Sequence, residues 1–127
     1  MEENKVSGSG IKTTDTPDTA GRIFYKEQIA LLEQAKIDEL IDRHYDEDAI
    51  LVSAAKVVRG RGALKEHFRA YLKMLGKLQI LSLDAFVETE DTILFEATVR
   101  SQMGDAKVYD AFVLRDGKAT HHFTGLK

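Results

Sequence analysis

Hydrophobic residues change their period once along the chain, near position 78. Before it they recur at helical spacing. Ile23, Phe24, Ile29, Ala30, Leu31, Leu32 and Ala35 form one such run, and Ile37, Leu40, Ile41 and Tyr45 form a shorter second one. Asp18 or Thr19 can cap the first, because either side-chain oxygen can accept from an orphan backbone amide. No Gly or Pro separates the two runs at Ala35-Lys36, so the pattern also allows one bent helix. The acids Asp46, Glu47 and Asp48 end the helical reading. Ala49-Ile50-Leu51-Val52 and Lys56-Val57-Val58-Arg59 follow as short strand-prone runs. A third helix carries Leu64, Phe68, Leu72 and Leu75 as one apolar stripe, with Tyr71 beside it.

From Leu78 onward the period is two. Strands are expected over 78–88, 92–102, 106–115 and 118–126, with turns at Glu90-Asp91, Gly104-Asp105 and Asp116-Gly117. Asp-Gly between apolar runs is a strong hairpin signal. Connections this short require antiparallel neighbours. Two of these strands are apolar on both faces: Ile93, Phe95, Ala97 and Val99 alternate with Leu94, and Phe112 and Leu114 alternate with Ala111 and Val113. One face must meet the helices. The other is expected to be covered by a second copy of the chain, a homodimer formed through the sheet.

Composition narrows the function classes. The chain has 127 residues, 43% of them hydrophobic and 31% charged, which suits one globular domain over 18–127. Residues 1–17 hold Ser, Gly, Thr, Asp and the only proline, and read as a flexible leader. No cysteine is present, which excludes disulfides, thiolate metal sites and a cysteine nucleophile. No signal-like segment and no long apolar run occurs, so a cytoplasmic protein without membrane contact is expected. The net charge is −3, with Lys and Arg scattered among acids, which speaks against a nucleic-acid partner. No phosphate-cradling loop, nucleophile elbow or calcium-loop spacing is found, so neither metal nor cofactor is expected.

Asp110 is the most informative residue. It shares a strand face with Val108, Phe112 and Leu114, where a carboxylate is costly to bury unless something partners it. His121 and His122 lie on the next strand and point to opposite faces. A two-residue loop at Asp116-Gly117 pairs Arg115 with Lys118 and places Phe112 opposite His121. Asp110 is then opposite Phe123, with His121 diagonal to it. A three-residue loop with a bulge brings His122 to that face instead. The two-residue loop is the commoner, so the reading takes His121. An Asp–His pair in a partly dry pocket can exchange protons with a ligand. A pair that only satisfies its own hydrogen bonds would leave the same trace in the sequence. Tyr45 is read as core with its hydroxyl at the pocket edge, and Phe112 and Phe123 as pocket walls. His67 reads as a packed histidine, and Arg100 with Glu96 as a solvated or dimer-rim pair.

Three segments resemble the nuclear transport factor 2-like superfamily, and within it the SnoaL-like group. They are Ile41-Asp42-Arg43-His44-Tyr45-Asp46-Glu47-Asp48-Ala49-Ile50-Leu51, then Val58-Arg59-Gly60-Arg61-Gly62-Ala63-Leu64-Lys65-Glu66-His67-Phe68, then Tyr109-Asp110-Ala111-Phe112-Val113-Leu114-Arg115-Asp116-Gly117-Lys118. The resemblance implies a cone-shaped α+β fold (cystatin-like), with N-terminal helices packed on a strongly bent antiparallel sheet. It also implies a pocket between the layers and a frequent dimer. In related ketosteroid isomerases an aspartate at the position matching Asp110 donates a hydrogen bond to the substrate oxyanion. Their general base would fall near Val52, Ser53 or Ala54, none of which is a base, and their helix-borne tyrosine aligns near Gln28, with Tyr25 about one turn away. Arg100-Ser101-Gln102 departs from the Arg-x-Asp pattern of related epoxide hydrolases. SnoaL-like cyclases use an Asp with a nearby His, roles that Asp110 and His121 would take. The expected functions are therefore binding of a small apolar or semi-polar molecule, a cofactor-free isomerase, lyase or cyclase, or a dimerisation module without catalysis.

Overall fold

The computed structural model describes residues 18–127. The leader expected over 1–17 lies outside them. Three helices and six strands follow in the order α1 (Ala20–Glu33), α2 (Ile37–His44), β1 (Tyr45–Val52), β2 (Val57–Arg59), α3 (Arg61–Leu75), β3 (Gln79–Glu88), β4 (Thr92–Ser101), β5 (Gly104–Arg115) and β6 (Lys118–Leu126). Thr19 is the cap of α1, and its Oγ1 accepts from the Arg22 amide at 3.2 Å. Glu88 of β3 reaches the same helix end. Its carboxylate accepts from the Gly21 amide at 2.9 Å and from the Thr19 hydroxyl at 2.5 Å. A carboxylate there meets both the orphan donors and the positive end of the helix dipole.

The helical runs are two helices, not one bent helix. Ala35 adopts φ 57°, a left-handed conformation that ends α1 although no Gly or Pro stands there. Helix α2 then runs without a loop into β1, so the switch from helix to strand falls between His44 and Tyr45. Both residues are buried. This junction turns two consecutive side chains inward, which a continuous strand would not do.

The six strands form one curled sheet in the order β2-β1-β6-β5-β4-β3. Every pairing is antiparallel except β1 with β6, which is parallel, so the sheet is mixed. Register shifts interrupt β3 against β4 twice, β1 against β6 once and β5 against β6 once. Such bulges bend a strand and increase its twist. The concave face receives the helices. Leu40, Ile41, Leu64, Ile93 and Phe112 are almost fully enclosed there.

The outer face stays open. Val57, Val87, Leu94 and Phe123 are all more than a third exposed. Arg100 and Glu96 do not pair with each other. Arg100 binds Asp105 through both carboxylate oxygens, and Glu96 accepts from Lys127 at 2.7 Å. Asp105 is the direct cross-strand partner of Arg100, and Lys127 reaches Glu96 from just beyond the end of β6.

Ile41 is wholly buried between α2 and the sheet. Ile41→Ala is expected to lower unfolding free energy by about 2–5 kcal/mol, read as a drop in the urea midpoint with unchanged slope.

Candidate functional site

Between α1, α3 and the concave face lies a cavity of about 330 Å³. Its walls are mostly apolar, with Leu32, Phe68, Leu78, Phe95 and Val108 among them. Asp110 of β5 and His122 of β6 also line it, as do Gln28, His67 and Tyr71. The Asp110 side chain is 17% exposed and the His122 side chain 5%, so the carboxylate is the more accessible of the two cavity-lining groups. His122 Nε2 lies 2.7 Å from Asp110 Oδ1. Asp110 Oδ2 has no hydrogen-bond partner among the described residues.

The histidine partner is His122, not the expected His121. The turn is the expected one: Asp116 and Gly117 both have positive φ, 54° and 78°, and Arg115 pairs with Lys118. The register changes just beyond it. Leu114 pairs with Ala119 and Val113 with His121, which leaves Thr120 as an extra residue. Its hydroxyl donates to the Val113 carbonyl at 3.3 Å and holds the bulge. One inserted residue flips everything after it, because side chains alternate with period two. Phe112 therefore faces His122, and Asp110 faces Thr124 rather than Phe123.

Three more expectations change, the first of them for the same reason. Phe123 is on the outer face, 38% exposed and stacked with His121 at 6.1 Å between ring centroids, so it is no pocket wall. Phe112 does line the cavity. Tyr45 is buried behind the wall, with its hydroxyl aimed at the back of His122 and not at the pocket edge. His67 is a cavity wall instead of a closed-in packing residue.

Behind His122 a row of hydrogen bonds crosses the core. The Tyr45 hydroxyl lies 2.8 Å from His122 Nδ1. Gln28 Nε2 donates to that hydroxyl at 3.0 Å, and Gln28 Oε1 lies 2.8 Å from His44 Nδ1. His44 Nε2 reaches Glu27 Oε1 at 3.1 Å. Aromatic faces enclose the rings. Phe112 stacks on His122 with centroids 4.0 Å apart, and Phe24 on His44 at 4.2 Å. Gln28 and His44 were not singled out as site residues from the sequence. The signal for them is a polar residue on a buried stripe: Gln28 falls between Phe24 and Leu31 on α1, and His44 follows Ile37, Leu40 and Ile41 on α2.

The electrostatics follow from burial and from Asp110. Burial pushes the Tyr45 hydroxyl strongly up, with the Asp110 charge adding and the Gln28 hydrogen bond opposing. Tyr71 is raised by burial and then by Asp110. Both phenols stay protonated, and of the two only the Tyr45 hydroxyl has hydrogen-bond partners among the described residues. His44 is lowered by burial, against the raising effect of Glu27. His67 is lowered by burial, by Lys56 and by repulsion from His122. Among the described residues no group of three His, Asp or Glu side chains is placed to hold a metal ion. No described helix is long and apolar enough to cross a membrane.

A lowered histidine binds its proton less well folded than unfolded. His67 therefore contributes nothing unfavourable above its unfolded value of about 6.5, and destabilises progressively as pH falls below it. His67→Gln is expected to flatten this loss. Between pH 7.5 and 5.5 its urea midpoint should fall less than that of the unaltered chain, and equal falls would remove His67 from the effect.

Solved structures of low sequence identity share this fold. An NTF2-like protein from Anabaena variabilis superposes with a TM-score of 0.75 at 19% identity, over 85% of this chain and 87% of that one. A candidate polyketide cyclase from Sinorhizobium meliloti gives 0.72 at 13% identity, over 85% and 100%. TerC co-crystallised with polyporic acid gives 0.72 at 16% identity, over 86% and 92%. No curated protein matches the sequence. The model of the SnoaL-like domain matches residues 25–122, which span α1 to the middle of β6 and include both Asp110 and His122. With that match across most of its length, on a nuclear transport factor 2-like α+β fold, the chain belongs to the SnoaL-like family.

Proposed function

We propose that the cavity takes a small, largely apolar molecule and that Asp110, held by His122, moves a proton on it, making the protein a cofactor-free isomerase, lyase or cyclase. One observation carries this reading: a carboxylate in an apolar hollow has one oxygen tied to a histidine and the other free of side-chain partners among the described residues. The volume lies at the lower end of the range of about 300–1,000 Å³ common for small-molecule sites. Apolar walls strengthen each electrostatic contact made inside. The free Asp110 oxygen accepts a proton from an acidic C–H or O–H of the ligand, and His122 keeps the carboxylate oriented while the charge moves. The candidate polyketide cyclase and the polyporic acid complex among the structural neighbours agree with a ring-bearing, oxygenated ligand.

Native mass spectrometry of protein purified from its own host identifies a retained molecule. Asp110→Asn is expected to keep binding it while lowering turnover by roughly 10²–10⁴-fold, the usual contribution of a general acid or base. Unchanged turnover in Asp110→Asn would take Asp110 out of the chemistry, and no turnover by the unaltered chain would leave a binding protein.

We also propose that a second copy of the chain covers the outer sheet face, where Val57, Val87, Leu94 and Phe123 leave apolar surface in water. Sedimentation at micromolar concentration should give the dimer mass, and Leu94→Lys should give the monomer. A monomer before substitution would overturn the interface.

A further inference from the structure

Five hydrogen-bonded links join six side chains in a row: Glu27 to His44, His44 to Gln28, Gln28 to Tyr45, Tyr45 to His122 and His122 to Asp110. Each link needs one hydrogen. The two ends are carboxylates, which only accept when ionised. Between them, a neutral His44 and a neutral His122 bring one N–H each, and Tyr45 brings one O–H. The Gln28 amide turns its oxygen to one neighbour and its NH₂ to the other, so it brings one more. Four hydrogens cannot serve five links. Wherever it falls, the unserved link would set two lone pairs against each other, in a buried place at the three middle links and a partly buried one at the two ends. One added proton completes the row, and a second would find no link to fill.

We propose that this row holds one proton beyond the neutral count, on one histidine at a time, and that Gln28 and His44 are thereby positioning residues for the charge on His122 beside Asp110. With both carboxylates ionised, two arrangements satisfy every link. In the first, the Gln28 oxygen faces His44, which is the imidazolium. The Gln28 NH₂ then donates to Tyr45, Tyr45 donates to His122 Nδ1, and neutral His122 donates from Nε2 to Asp110. In the second, the amide is rotated by 180°. Its NH₂ donates to a neutral His44, which donates from Nε2 to Glu27. Tyr45 donates to the amide oxygen, and His122 is the imidazolium, with Nδ1–H on Tyr45 and Nε2–H on Asp110. The two ends of an amide have the same shape, so the exchange requires no movement of the backbone.

The surroundings of the two rings differ. His44 faces Glu27 from α1, Arg43 from its own helix and Lys118 from β6. His122 faces Asp110 from β5, Tyr45 from β1 and His67 from α3, which Lys56 also approaches. Burial holds His44 below the ordinary histidine range, which favours the second arrangement. Glu27 is 45% exposed at its side chain, so the His44 end can exchange its proton with water. In chemical terms, the cavity meets either a carboxylate with a neutral donor behind it, or an imidazolium–carboxylate pair with a proton to give. That consequence rests on the acid–base reading of Asp110. The proton count itself does not, and it is read without any substrate.

The test is long-range ¹H–¹⁵N spectroscopy of the labelled full chain between pH 5.5 and 8.5, which reports tautomer and charge for each histidine. Near pH 7 one imidazolium is expected between His44 and His122. Glu27→Gln and Asp110→Asn each replace an accepting end with an amide that can donate, so each supplies the missing hydrogen. Either should discharge the row. One of the two must therefore act at a distance: Glu27→Gln discharges His122, which it does not touch, or Asp110→Asn discharges His44. A shift of about one pH unit in the distant midpoint is the expected size for coupled sites. Gln28→Glu removes a hydrogen from the row and should leave both histidines charged at pH 7. The proposal is overturned if both are neutral or both charged in the unaltered chain at pH 7, or if each end variant moves only the histidine it touches.

Discussion

A carboxylate placed against phenylalanine, leucine and valine must be compensated locally, and here the compensation is the 2.7 Å contact between Asp110 and His122. Burying an unpaired charge would cost several kcal/mol, a large part of a small domain's stability. The histidine in turn needs a partner for its other nitrogen, which is the Tyr45 hydroxyl, and the tyrosine needs Gln28. Each polar group admitted to the core requires the next. The row ends only where Glu27 meets solvent, about half exposed. Placing one acid in the cavity thus constrains side chains on α1, α2, β1, β5 and β6 together.

The same elements supply rigidity without adding polar atoms. His122 lies on Phe112 and His44 on Phe24, while Phe24 meets Phe112 edge-on at 5.1 Å. The two histidines are thus clamped by one connected aromatic cluster. Ring orientation decides which nitrogen faces which partner, so packing and hydrogen bonding reinforce a single geometry. The abrupt passage from α2 to β1 makes this arrangement reachable, since it turns His44 and Tyr45 inward as neighbours.

Much of the architecture was legible in the chain. The change from helical to alternating period at Leu78, the Asp116-Gly117 turn and the apolar stripe of α3 are local consequences of residue type and spacing, and they fall where the structure has them. The inward direction of Asp110 was also legible, because a single acid interrupts an apolar strand face. Its histidine was harder to assign. Deciding between His121 and His122 required counting residues across a hairpin, and the count is changed by one bulge at Thr120 that no turn signal announces. Phe123 moved to the outer face by the same single step.

By itself the sequence determined the order and type of the elements, the family pattern and the presence of an acid that must find a partner, since these depend on residues close along the chain. Only the tertiary structure decided which partner it finds and what stands behind it. Gln28, Tyr45 and His122 lie 17 and 77 residues apart in their pairwise contacts, and come together only once the parallel β1–β6 pairing and the curl of the sheet are in place. Spacing within a segment carries no information about such distances, and a proton shared along a buried row depends on all of them at once.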